Sequence, residues 1–190
     1  MPELRPASHR RCRRAQRVYS GDRSTFAAPG ARGFGISHLM GVAREAVTVR
    51  LPADRAFDLW TDLSRWATFI DGFARVERTD GSWPGEGAKL VWRSGPAGRG
   101  VVTERVVASE PGERFVTQVF EERLRGAQAV LFEPVDVEST RVDMELDYSL
   151  THGGPLSGIT DLLFIRRAQT DAIRRTLRRF ATEAAEEARL

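Results

Sequence analysis

Few side chains in this sequence could do chemistry, and most of those lie in strand-like runs. Glu104 stands in GVVTERVVASE and Gln118 in RFVTQVFEERL, each a polar residue within an otherwise apolar stretch. A carboxyl buried there would have its ionisation disfavoured and could serve as a proton donor. Both faces of these runs are mixed, so alternation leaves two readings open: Glu104 turned inward, or turned outward and paired with an arginine. Tyr148 shares the apolar face of its own run, where its hydroxyl would need a partner. His152 sits in the glycine-rich turn His152-Gly153-Gly154, a setting for an exposed and chemically idle imidazole.

Other site types are excluded by what the sequence lacks. The only cysteine is Cys12, near the N-terminus, so the rest of the chain has no thiol for a disulfide, a zinc site or a nucleophile. There is no Walker-type loop, no dinucleotide fingerprint after a strand, and no group of His and carboxylates at metal spacing, so no metal or cofactor is expected. The glycines from Gly95 to Gly100 join two strand-like runs and open no helix. Asp143, Glu145 and Asp147 fall on one strand face, which reads as a solvated face that neighbouring arginines neutralise rather than a cation site.

Charge divides the chain in two. Residues 1–39 hold eight Arg against Glu3 and Asp22, a net of +6, whereas the whole chain carries +3, leaving −3 for residues 40–190. The first segment has no helix or strand period and few large apolar residues, so it cannot offset its ordering entropy and is expected to be a disordered basic tail. Two readings of it stand: an arm for nucleic acid or anionic lipid, or an upstream stretch outside a true start at Met40. Arg outnumbers Lys 28 to 1, as in a GC-rich coding sequence where spurious upstream frames stay open. The acidic balance of residues 40–190 removes the basis for a nucleic-acid groove there. No apolar run approaches the roughly 20 residues of a membrane span, and no signal-peptide pattern is evident. The expectation is a soluble, cytoplasmic protein without integral membrane association; its oligomeric state is not indicated.

A hydrophobic share of 41% is enough for one core. From Arg44 to Leu51 the residues alternate as in a half-buried strand, and Pro52 stops the run. Ala53, Ala56, Phe57 and Trp60 then mark a short amphipathic helix. Asp62 or Ser64 can cap a second one bearing Leu63, Trp66, Ala67 and Ile70. Five strand-like runs follow over residues 74–80, 88–94, 100–110, 114–124 and 127–137, separated by short Gly- and Pro-rich turns that favour antiparallel hairpins. The seventh run, RVDMELDYSLT, puts Val142, Met144, Leu146, Tyr148 and Leu150 on one face and charge on the other. After Pro155 the period changes to 3.6, with Leu156, Ile159, Leu163, Thr170, Ile173, Leu177, Phe180 and Ala184 on one stripe of a long helix.

One strand, two short helices, six antiparallel strands and a long C-terminal helix is the element order of the START-like, or SRPBCC, superfamily. VRLPADRAFDLWTDLSRWATFI resembles that group's opening, and EPGERF, EPVDVESTRVDMELDYSL and GGPLSGITDLLF are similar to its later segments. The nearest subgroup is the polyketide cyclase/dehydrase and lipid-transport family, and the likeness spans about residues 43–188. It implies an α+β helix-grip fold over residues 40–190, with a seven-stranded curved antiparallel sheet wrapped around the C-terminal helix.

The resemblance also implies an apolar small molecule held between sheet and helix. Candidate wall residues are Trp60, Trp66, Phe69 and Phe73 at the mouth, Trp92, Glu104, Phe132, Met144 and Tyr148 from strands, and Leu162, Leu163 and Arg166 from the helix. The alternative for each apolar member is ordinary core, since small domains build cores from the same residue types. The leading expectation is a carrier of a lipid or polyketide-like compound. Two rivals are an aromatase/cyclase and a protein-interaction module using the Arg-rich helix face from 166 to 179.

Overall fold

The alternating runs become seven antiparallel strands of one sheet: β1 (Met40–Val49), β2 (Phe73–Thr79), β3 (Lys89–Ser94), β4 (Val101–Glu110), β5 (Arg114–Phe120), β6 (Leu124–Pro134) and β7 (Thr140–Leu150). Their order across the sheet is β1-β7-β6-β5-β4-β3-β2. A computed structural model describes residues 40–96, 98–150 and 158–190, without the side chains of 158–162. The tail, His152 and Leu156 therefore lie outside the described residues, as do the side chains of Ile159 and Leu162.

Strands β2 to β7 are joined as successive hairpins, but β1 pairs with β7 at the far edge from β2. The chain must therefore cross the sheet between its first two strands. It does so through α1 (Ala53–Thr61), a 3₁₀ turn (Leu63–Arg65) and α2 (Trp66–Phe69). With α3 (Gly158–Glu187) on the same side, this is the expected helix-grip arrangement of a curved sheet, two short helices and one long helix.

Element ends differ from expectation for local reasons. β1 begins at Met40, because pairing with β7 extends to Met40 opposite Ser149. β5 stops at Phe120, and the backbone N–H of Glu121 turns back to the Leu124 carbonyl at 2.8 Å, so Leu124 opens β6 instead. The second short helix is a 3₁₀ turn followed by one α turn. Asp62 starts it, its carboxylate accepting the Ser64 N–H at 2.9 Å.

The concave face carries the core. Along β7, Val142, Met144, Leu146, Tyr148 and Leu150 are all buried, as period-2 alternation requires. In α3 the stripe Ile173, Leu177, Phe180 and Ala184 is buried, whereas Leu163 is 61% and Phe164 75% exposed. The expected single stripe thus holds only in the downstream half. At about 100° per residue, Leu163 has drifted roughly 80° round the helix from Ile173.

Three rings fasten that downstream half. Trp60 of α1, Phe69 of α2 and Phe180 of α3 meet with centroids 5.6, 5.1 and 5.2 Å apart. Two indoles satisfy backbone carbonyls at the end of α1, which the helix itself leaves unpaired. Trp66 Nε1 donates to the Trp60 carbonyl and Trp83 Nε1 to that of Thr61, each at 2.8 Å. Arg65 bonded to Glu183 at 2.7 Å and Arg55 bonded to Glu187 at 2.8 Å tie the same region to the end of α3.

Tyr148 lies in a row with two glycines. Gly41 on β1 and Gly126 on β6 are its cross-strand partners. A Cβ on Gly41 would fall 2.6 Å from the tyrosine ring and hydroxyl, and one on Gly126 would fall 2.4 Å from the Asp147 carbonyl.

The anchored stripe makes a direct stability prediction. Phe180→Ala should cost about 3–5 kcal/mol through lost packing and a cavity, whereas Leu163→Ala should stay within about 0.5 kcal/mol. Urea denaturation of the two variants checks the contrast; equal losses would contradict this division of α3.

Candidate functional site

Between the sheet and α3 lies a cavity of about 30 Å³. That is room for about two waters, against the roughly 300–1,000 Å³ of ordinary small-molecule sites. Trp60, Trp66 and Ile70 line it from the short helical segment, Trp92, Glu104, Phe115, Gln128, Met144 and Leu146 from the sheet, and Gln169, Ala172, Ile173 and Thr176 from α3. Asp71 and Arg99 complete the lining.

Glu104 is its chemical centre. Val102, Glu104 and Val106 alternate inward on β4, which leaves the carboxyl only 4% exposed. One oxygen accepts the Trp92 Nε1–H at 2.9 Å, and the other accepts the Thr117 hydroxyl at 2.9 Å from β5. Burial pushes the carboxyl above the ordinary glutamate value; the Trp92 and Thr117 donors and the nearby Arg99 pull the other way without overcoming it. A carboxyl of this kind can keep its proton and offer it to a group in the cavity.

Arg99 comes from the β3–β4 connection. Its guanidinium lies 5.4 Å from the centroid of the Trp92 ring. Its Nε donates to Glu121 at 2.5 Å, and a second N–H makes a still closer contact with the same oxygen. The Glu121 side chain is only 8% exposed, so this ion pair is largely withdrawn from water.

A second polar group closes the α3 side. The Thr176 hydroxyl accepts the backbone N–H of Asp71 at 3.0 Å. The Asp71 carboxylate is gripped by Arg175 at 3.0 and 2.9 Å and approached by Arg179 at 3.3 Å. Arg174 bonds Glu45 and Asp171. Much of the Arg-rich face of α3 is thus engaged within the chain.

Of the expected wall residues, Trp60, Trp66, Trp92, Glu104 and Met144 do line this cavity. Phe69 is instead wedged between Trp60 and Phe180, Phe73 lies against Trp66 and Trp92, and Phe132 against Phe57. Tyr148 is 1% exposed with its ring over Gly41, and no described residue bonds its hydroxyl, which burial pushes up in pKa against the opposing charge of Arg166. Leu163 and Arg166 are both exposed and neither borders this cavity, whose α3 wall begins, among the described residues, at Gln169. Gln118 faces away from Glu104, half-buried opposite Arg105 and Ala127. Sequence reasoning passed over Arg99, Thr117, Gln128 and Thr176. On the outer face of β7, Arg141 pairs with Asp143 and Arg44 with Glu145, which neutralises the acidic row.

Comparison with known proteins agrees with this architecture. The family described as polyketide cyclase / dehydrase and lipid transport matches residues 40–185. No match was found among curated proteins. Similar solved structures include an aromatase/cyclase, Zhui, from Streptomyces sp. R1128, with a TM-score of 0.64, 17% identity and coverage of 77% of this chain and 94% of that one. A START superfamily protein from Mycobacterium smegmatis has a TM-score of 0.62 at 11% identity, covering 79% and 99%. Norcoclaurine synthase from Thalictrum flavum, in complex with dopamine and hydroxybenzaldehyde, has a TM-score of 0.60 at 13% identity, covering 84% and 97%. At such identities the likeness is one of fold. Among the described residues no helix is long and apolar enough to cross a membrane.

The buried carboxyl gives a pH signature. A glutamate raised on folding contributes its full stability below the unfolded value, near 4.5, and loses it as pH climbs through the raised folded value. Glu104→Gln has no such loss. The gap between variant and wild type in urea midpoint should therefore widen in favour of glutamine as pH rises from about 4.5 to the raised folded value and level off above it; parallel profiles would contradict the assignment.

Proposed function

The chain belongs to the polyketide cyclase/dehydrase and lipid-transport family, and on that premise we propose that it binds a largely apolar small molecule in the cavity around Glu104. The observation that carries this reading is a carboxyl held inside an aromatic-lined space at a cost in stability. A core built only for packing gains nothing from such a group, whereas a binding pocket uses a few fixed polar atoms to orient its ligand.

The cavity must widen to take a ligand of ordinary size. The α3 wall is the part suited to move, since the helix upstream of it leaves Leu163 and Phe164 in water while the downstream stripe is fixed by Trp60 and Phe69. Native mass spectrometry of protein purified from its own host should detect an apolar molecule lost on denaturation. Ala172→Trp, which fills the space beside Ile173, should weaken binding by at least about tenfold. Wild-type protein that carries no ligand and takes up no apolar probe would refute the reading.

Glu104 also favours a second reading, a cyclase or dehydrase. In its ionised form it would take a proton from the carbon beside a carbonyl, and in its acid form return one. Deuterium exchange into the methyl group of acetophenone, accelerated by wild type and not by Glu104→Gln, is the expected result. Equal rates for the two proteins would leave binding alone.

The interaction-module reading has less support. Arg174, Arg175 and Arg179 are already committed to Glu45, Asp171 and Asp71.

A further inference from the structure

Resting on the binding reading above, we infer that the cavity selects neutral carbonyl compounds over carboxylates, and that Glu121 is the residue that sets this preference. The polar end of the cavity holds one cation among its described lining residues, Arg99. An arginine beside an apolar pocket would ordinarily be the receptor for a carboxylate, through its planar fork of donors. Here the Nε–Nη2 edge of that fork is already taken, both N–H groups going to one oxygen of Glu121, whose charge balances that of the arginine.

Glu121 is in no position to give the arginine up. Its backbone is fixed in the β5–β6 turn by the bond to the Leu124 carbonyl, and its side chain is 8% exposed. Drawing Arg99 away toward a ligand would leave Glu121 as an unpaired carboxylate in a poorly hydrated place, which costs more than the exchange returns. The remaining acidic residues that line the same space are Glu104 and Asp71, and the Asp71 carboxylate is already held by Arg175 and Arg179. An entering carboxylate would thus lose its water and find no cation among the described lining residues whose charge is not already balanced. A ketone or aldehyde oxygen carries no charge to desolvate, and it can accept the proton of the Glu104 carboxyl. The Gln128 amide lines the same cavity as a further polar neighbour.

Acetophenone and benzoate test this cleanly, since they have the same shape and differ by a methyl group in place of a charged oxygen. Titration of each into the full chain, followed at the Trp92 indole N–H resonance, should give acetophenone at least about tenfold tighter binding in wild type. Glu121→Gln releases Arg99 while keeping the size of the side chain, and benzoate should then bind at least about tenfold more tightly than it does to wild type. The double variant Glu121→Gln with Arg99→Gln should lose that gain. Benzoate binding wild type as well as acetophenone would overturn the inference while leaving the binding reading intact; no shift with either compound would remove both. The wild-type comparison stands by itself if a variant fails to fold.

Discussion

Three rings decide where the long helix lies. Trp60, Phe69 and Phe180 bring α1, α2 and α3 to one point, and the buried stripe from Ile173 to Ala184 continues the contact along α3. This joint exists because β1 and β2 stand at opposite edges of the sheet, so the helices between them must cross its concave side. Dense aromatic packing there fixes one end of α3, and the space left between the helix and the middle of the sheet is the cavity. Fastening and opening are thus two ends of one geometry.

Within that space, polar groups are arranged in a chain rather than scattered. Glu121 holds Arg99, Arg99 lies over Trp92, Trp92 donates to Glu104, and Glu104 accepts from Thr117. Each contact restrains the next, so the Glu104 carboxyl has a fixed orientation although it is buried without a counter-ion of its own. Preorganisation of this sort lets a single group orient a ligand that is otherwise recognised by shape.

Most of the architecture could be read from periodicity, because strands with one wet face and a helix with one dry stripe advertise themselves. RVDMELDYSLT did so without ambiguity. The β4 run concealed its polarity: Val101 and Val107 face out as Val102 and Val106 face in, so the apolar residues on both sides of the strand hid the inward turn of Glu104. Gln128 was more open to reading, since it shares parity with Val130 and Phe132, both apolar and buried. Arg99 and Thr176 were beyond sequence reasoning, one being in a loop and the other beside the helix stripe. Which aromatic residue borders a space and which fills one depends on a few tenths of a nanometre of packing, and composition does not encode that. Phe69 and Trp60 are neighbours of the same type with different roles for this reason.

The row formed by Gly41, Tyr148 and Gly126 constrains how this sequence can change over generations. A side chain at either glycine would run into the tyrosine ring or the backbone beside it. Divergence at Gly41 and Tyr148 is therefore concerted: a lineage that acquires a larger residue on β1 must first, or at the same time, shed the bulk of that ring, whereas Gly126 is held by the Asp147 carbonyl, which no change of side chain at 148 removes. Until that happens Gly41 and Tyr148 are inherited as one unit.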